Sequence, residues 1–284
     1  MEEREIKALL SLLDDDDPEV APLVEAQIRT LGGDVIPLLE TEWESSFNPL
    51  VQKRIEDLIH DLQFGTLVEK LRHWKDGGGL DLLEGLWLVA TYQYPDLPIE
   101  KLRRELEQIY YEVWMEFRPH MHPVDQIKTL NSVFFGKLKF GANTKNFHSA
   151  ANSMLNIVLE SRKGNPVSLC VIYMLVAQRL HVPVYGVNLP SLFVLTYKTE
   201  HVQFYVNVFN KGLIFNRSDI ENYIAQLNLA PRDLFFQPCA NLEIIKRVLR
   251  SLMLAFEKTG DDERVREVGQ LLAAVSEPGE VIIE

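Results

Sequence analysis

The chain has 284 residues, 46% of them hydrophobic and 25% charged, the balance of an ordinary globular protein long enough to bury one large core or two modest ones. Its formal net charge of −12 opposes broad contact with nucleic acid or an anionic membrane, because both require a surplus of Lys and Arg, and no basic stripe interrupts the acidic balance. The two cysteines, Cys170 and Cys239, are too few for a disulfide framework and are expected as reduced thiols.

The opening residues, MEEREIKALLSLL, are acidic and amphipathic and lack the basic and apolar regions of a signal peptide. No apolar run reaches the length of a membrane span, so a cytoplasmic protein without membrane contact is expected. Residues 3–75 carry helical periodicity with an internal echo. A shift of 31 residues lays Pro18 on Pro49, Val20 on Val51, Val24 on Ile55, Ile28 on Ile59 and Leu31 on Leu62. Each copy is expected to be a helix pair, and the similarity resembles HEAT-like repeats over residues 1–76. Asp14 to Asp17 stand before a helix start, where carboxylates favour the positive end of the helix dipole. Capping and solvation suit them better than a calcium site, which would need ligands at alternating loop positions and a turn glycine.

KDGGGLD at 75–81 is the clearest break, since consecutive glycines disfavour helix and supply a turn. Four helical segments follow between 80 and 160: LDLLEGLWLVATYQ, PIEKLRRELEQIYYEVWMEF, PVDQIKTLNSVFFGKL and NSMLNIVLES. Pro95, Pro98, Pro119 and Pro123 mark their joints. In the second of them Ile109, Val113 and Phe117 recur at helical spacing as a core stripe.

RKGNPVSLCVIYMLVAQRL, residues 162–180, has Asn165 at an N-cap position and Pro166 at N1, which places Ser168 at N3 and Cys170 at N5. The helix is apolar on nearly every face, as a buried helix is. Beyond it the period changes. VYGVNL, LFVLTY, QFYVNVF and GLIF are rich in Val, Tyr, Phe and Leu and are separated by turn residues, the pattern of antiparallel strands. NLEIIKRVLRSLMLAFEKTG and DDERVREVGQLLAAV then form a helical hairpin of tetratricopeptide type over 240–275. The expected class is α+β and predominantly helical, with a small antiparallel sheet packed on a buried central helix.

The ordered blocks NSMLNIVLESRKGNPVSLCVIYMLVAQRLHVPVYGVNLPSLFVLTY and FYVNVFNKGLIF, with the hairpin after them, resemble the SirB1 family of the transglutaminase-like superfamily. The matching positions include Asn152 and Ser153, then Leu155, Val158 and Leu159, and the Arg162, Gly164, Pro166, Val167, Ser168 and Leu169 element. The similarity spans residues 80–275, with a helical lead-in at 80–160 and a core at 161–235, and leaves the HEAT-like front outside. It implies a papain-like core in which a Cys at the start of the central helix, a His on one strand and an Asp on the next form a triad. A helix start favours the thiolate, the imidazole takes its proton, and the carboxylate orients the imidazole.

This chain departs from that pattern. Where the family has Pro-x-His-Phe the chain has Pro190, Ser191, Leu192 and Phe193, so Leu192 replaces the base. Where the family has Asp-Pro-Phe the chain has Asn207, Val208 and Phe209, so Asn207 replaces the orienting carboxylate. If the chain is active, Cys170 would have to recruit His201 with Asn207 behind it, as a thiol amidase, protease or acyl transferase. Otherwise Cys170 is a packed thiol and Ser168 a capping residue. Arg162, Asn165 and Ser168 flank the helix start and are the candidate lining of a retained cleft.

His120 and His122 in RPHMHP form an HxH pair that would need further ligands to hold zinc, with His73 and His148 as the available histidines, and solvated loop residues are the simpler account. No Gly-rich phosphate loop exists, because DGGGLD lacks the following Lys-Ser/Thr and KFGAN has a single glycine. Neither a cofactor nor a metal is expected. The sequence therefore points to a non-catalytic transglutaminase-like protein, a pseudoenzyme serving as an interaction or regulatory scaffold for a protein partner, with the Cys170 enzyme as the alternative.

Overall fold

The computed structural model describes residues 3–14, 17, 19–118 and 120–277. Asp15, Asp16, Pro18 and Pro119 lie outside the described residues, so the acidic run and the first proline of the echo are described only in part. The chain divides into compact units Met1–Lys70 and Leu71–Glu284.

The first unit consists of helices α1 (Glu3–Ser11), α2 (Val20–Arg29), α3 (Ile36–Ser45) and most of α4 (Pro49–Asp76). The sequence echo has a physical counterpart here. Val24 and Ile28 of one copy and Val51, Ile55 and Leu62 of the other are buried in one cluster, with Val20, Leu31 and Ile59 packed against it. α4 runs on to Asp76, and the glycine run then turns the chain, with Gly77 N donating to the His73 carbonyl at 2.9 Å.

The second unit opens with α5 (Leu82–Thr91), α6 (Ile99–Trp114), α7 (Pro123–Asn131) and α8 (Leu155–Ser161), which correspond to the four helical segments read from the sequence. Two features there carry no period that a sequence exposes. A π-helical stretch, Ser132–Lys137, continues α7, and a minimal parallel pair joins β1 (Gly141–Ala142) to β2 (Lys163–Gly164).

The central helix α9 (Pro166–Arg179) leads into β3 (Val184–Leu189), β4 (Leu192–Lys198), β5 (Gln203–Asn207) and β6 (Leu213–Phe215), an antiparallel sheet in sequential order. Every side chain of α9 from Val167 to Met174 is buried, which is why the helix shows no polar face. α10 (Arg217–Gln226), α11 (Asn241–Thr259) and α12 (Asp262–Ala274) complete the fold, and Gly260 ends α11 before Asp261 caps α12.

Register fixes which side chains share a face of the sheet. Val187 pairs with Val194 and Leu189 with Leu192; these residues cluster with Tyr205 and with Ile220, Ile224, Phe235 and Phe236 from α10 and the segment after it. The opposite face, with Gly186, Phe193 and Leu195, is covered by α9 and α11. Gly186 is required by that packing, since a Cβ there would lie 2.7 Å from Phe193 Cζ and 3.2 Å from Ile244 Cδ1. The result is a three-layer α/sheet/α arrangement, predominantly helical and of the α+β class.

Candidate functional site

The start of α9 is a closed polar framework. Asn165 Oδ1 accepts from Ser168 N at 2.9 Å while Ser168 Oγ accepts from Asn165 N at 3.1 Å, a complete capping box. Asn165 Nδ2 donates to Ser153 Oγ at 3.2 Å, and the neighbouring Asn152 accepts from Asn143 Nδ2 and donates to the carbonyls of Asn146 and Phe147. Asn152, Ser153, Asn165 and Ser168 are all buried. The expectation that Asn165 and Ser168 line a cleft is corrected by this burial, because their polar atoms are spent on holding the loop before α9 against the helix start. Arg162 differs. It sits in the left-handed region after α8, lays its guanidinium over Phe140 at 4.8 Å and reaches Glu105 at 3.6 Å, remaining partly exposed.

Cys170 is fully buried one turn further on. Its Sγ lies 3.6 Å from the Phe193 carbonyl, and burial raises the thiol's pKa far above its ordinary value, against a smaller opposing effect from the Val208 amide. The thiol thus touches the backbone beside both degenerate triad positions. The side chains at those positions point elsewhere. Leu192 packs into the cluster on the sheet face covered by α10, and Asn207, two residues beyond Tyr205 on β5, falls on that same face by strand alternation. Asn207 Oδ1 accepts from Asn210 N at 3.0 Å and is engaged in the turn.

His201 does not join this group, which corrects the recruited triad of Cys170, His201 and Asn207. Lys198 pairs with Gln203, so His201 lies in the β4–β5 turn, and at about 3.4 Å per residue the strand from Phe193 to Lys198 separates it from the thiol by roughly 17 Å. His201 is exposed, and its backbone N–H donates to Thr199 Oγ1. Cys239 is partly buried, its N–H donating to the Gly186 carbonyl at 2.8 Å, and burial followed by the nearby Glu243 pushes its thiol up to about 12.

The HxH pair is not a cluster. His122 caps α7, its Nδ1 accepting from Val124 N at 3.4 Å, while His120 is exposed, His73 sits in the last turn of α4 and His148 packs edge-on against Phe147. Among the described residues no group of three or more His, Cys, Asp or Glu could hold a metal ion. None of the helices among them is long and apolar enough to cross a membrane.

One buried relay escapes sequence reasoning. Tyr173 Oη donates to Asn131 Oδ1 at 3.0 Å, and Asn131 Nδ2 donates to the Gly212 carbonyl at 2.9 Å, tying α9 to α7 and to the turn that Asn207 begins. Gly212 adopts φ 72°, and a Cβ there would lie 2.0 Å from Asn131 Oδ1. The phenol in an otherwise apolar helix was the available signal; its partners come from segments far away in sequence.

Comparison with known proteins agrees with this architecture. Residues 100–250 match the sequence profile of the transglutaminase-like superfamily. A UPF0162 protein of Xylella fastidiosa strain Temecula1 is 30% identical over 202 residues, which cover 65% of this chain and 68% of that protein. UPF0162 protein YchA of Escherichia coli K12 is 26% identical over 176 residues, 60% of this chain and 65% of that one. F-box only protein 21 of Mus musculus is 32% identical over 108 residues, 35% of this chain but 17% of that protein. No solved structure matches the chain. With its sheet, buried central helix and matched residues in agreement, the chain belongs to the transglutaminase-like superfamily.

Proposed function

We propose that this chain is a non-catalytic member of the superfamily, of SirB1 type, that acts in the cytoplasm as an interaction or regulatory scaffold for a protein partner. The observation that carries the reading is the placement of Cys170: a buried thiol, its proton held more tightly than in water, with the side chains at 192 and 207 on the other face of the sheet. A nucleophile needs a thiolate and a base within hydrogen-bond reach, and neither condition is met there.

The scaffold part of the reading rests on surface and organisation. At the end of α6, Tyr111, Trp114 and Met115, the residue that follows it, are 52%, 57% and 62% exposed, opposite the buried stripe of Leu102, Leu106, Ile109 and Val113. Large apolar side chains clustered on one outer helix face suit a partner. In this proposal residues 1–76 are HEAT-like, residues 80–235 form the transglutaminase-like domain and residues 240–275 a tetratricopeptide-like hairpin. The match of about a third of this chain to a small part of F-box only protein 21 supports treating part of it as a module built into larger proteins.

The test is peptide-resolved alkylation of the native protein with iodoacetamide across pH, beside a Cys170→Ala control. Labelling of Cys170 should appear only on unfolding. Rapid native labelling with a thiolate pKa near neutrality would sink the reading and call for an amide-substrate screen.

A further inference from the structure

α11 carries two arginines, Arg247 and Arg250, that no carboxylate among the described residues neutralises. Arg247 donates from Nη1 to Asn188 Oδ1 and to the Leu189 carbonyl, both at 3.4 Å, which is long for a hydrogen bond, and both acceptors are neutral. Arg250, three residues on and so about 5–6 Å away at Cβ, holds a buried Nε with no acceptor. Neither forms an ion pair among the described residues. The other half-buried arginines, Arg54 and Arg162, each have a carboxylate within 4 Å.

Both arginines are half-buried; partly removing a guanidinium from water without a counter-charge is unfavourable, and placing a second beside it adds repulsion. Burial and then Arg250 both weaken the hold of Arg247 on its proton. A chain with 41 acidic residues and 29 basic ones could have satisfied this pair cheaply with one carboxylate. The neighbouring backbone is also fixed, since Tyr223 Oη donates to the Pro190 carbonyl at 2.9 Å and so pins the β3–β4 turn that follows Leu189.

We propose that Arg247 and Arg250, with Asn188 beside them, form a binding site for a doubly charged oxyanion. A phosphoryl group fits best, because it brings up to two negative charges and several acceptor oxygens to donors that now have only neutral partners or none. The site is independent of whether the chain is catalytic, and it lies on residues outside the degenerate triad positions.

Thermal unfolding with inorganic phosphate and with phenyl phosphate, at ionic strength matched with chloride, tests it on the whole chain. At roughly ten times Kd either ligand should raise the wild-type Tm by about 3 °C. A response to both assigns the site to the phosphoryl group itself; a response to the ester alone assigns it to an organic phosphate. Arg250→Gln, whose lost Nε makes no bond, should keep its Tm in chloride and lose most of the rise, and Arg247→Lys should weaken it through loss of the guanidinium fork. No rise above chloride in the wild type, or an equal rise in both variants, overturns the proposal. Either failure leaves the Cys170 alkylation result untouched.

Discussion

The start of α9 and the middle of α11 treat buried polar groups in opposite ways. Around Asn165 the donors and acceptors of Ser153, Ser168 and the helix start meet one another, so that region is closed and needs nothing from outside. Around Arg247 and Arg250 two cations meet, among the described residues, only neutral acceptors or none, which is the ground for the proposed anion there. The family resemblance directs attention to the first region, where chemistry would be sought. The physics of satisfied and unsatisfied groups directs it to the second.

The largest effect should come from opening the closed region. Asn165→Ala removes the cap and strands the Ser168 N–H and Ser153 Oγ in a buried site, so it should destabilise the fold by about 3 kcal/mol, a cap plus one unsatisfied buried group. Urea unfolding measures this, and a loss below about 1 kcal/mol would mean that water replaces the cap and that the region is less closed than its hydrogen bonds imply.

The buried thiol gives the next effect, through pH. The pKa of Cys170 is raised in the folded state, so below the free thiol's pKa both states are protonated and the thiol's stabilising contribution is fully present. Above about pH 8.5 the unfolded chain loses that proton first, and stability falls by roughly 1.4 kcal/mol per pH unit. Cys170→Ala should lack this component, so the stability gap between the two proteins should narrow between pH 8.5 and 10.5. A constant gap would mean an accessible thiolate, and with it a site more open than α9 suggests.

Smaller still is the relay. Tyr173→Phe leaves Asn131 Oδ1 without its donor and should cost about 1–2 kcal/mol. In the same region, restoring the family residues with Leu192→His and Asn207→Asp should leave native Cys170 labelling as slow as in the wild type, since both side chains face the α10 side of the sheet.

How much of this was legible follows from range. The cap at Asn165 and Pro166, the length of α9 and the four strands are written in neighbouring residues, and Val24, Ile28, Ile55 and Leu62, which the 31-residue echo aligns in part, lie in one core. Strand alternation divides β4 into two faces, but nothing local says which face meets the helix, so Leu192 could be recognised as a lost base and not as a side chain turned away. Helix α10 is also written locally, in the capping box of Asn216 and Asp219, and goes unread; the π-helical continuation of α7 and the Tyr173–Asn131–Gly212 relay depend on packing between distant segments. Arg247 and Arg250 look in sequence like ordinary cations of an amphipathic helix; only their partial burial without a carboxylate among the described residues distinguishes them.

The smallest predicted effect separates the two regions most cleanly. Ser191 occupies the left-handed region at φ 55° in the β3–β4 turn, a conformation that a side chain makes costly, and it lies between the Leu189 carbonyl that Arg247 uses and the strand that carries Leu192. Ser191→Gly relieves that strain while giving the unfolded chain more freedom, and the difference should stabilise the fold by about 0.5 kcal/mol, or some 1–2 °C in Tm. Because the turn stays pinned by Tyr223, the Tm rise with phosphate should be the same as in the wild type. A gain in Tm with a lost phosphate response would make the strained turn part of the anion site. An unchanged response would confine the site to α11 and Asn188, with the turn acting only as their support.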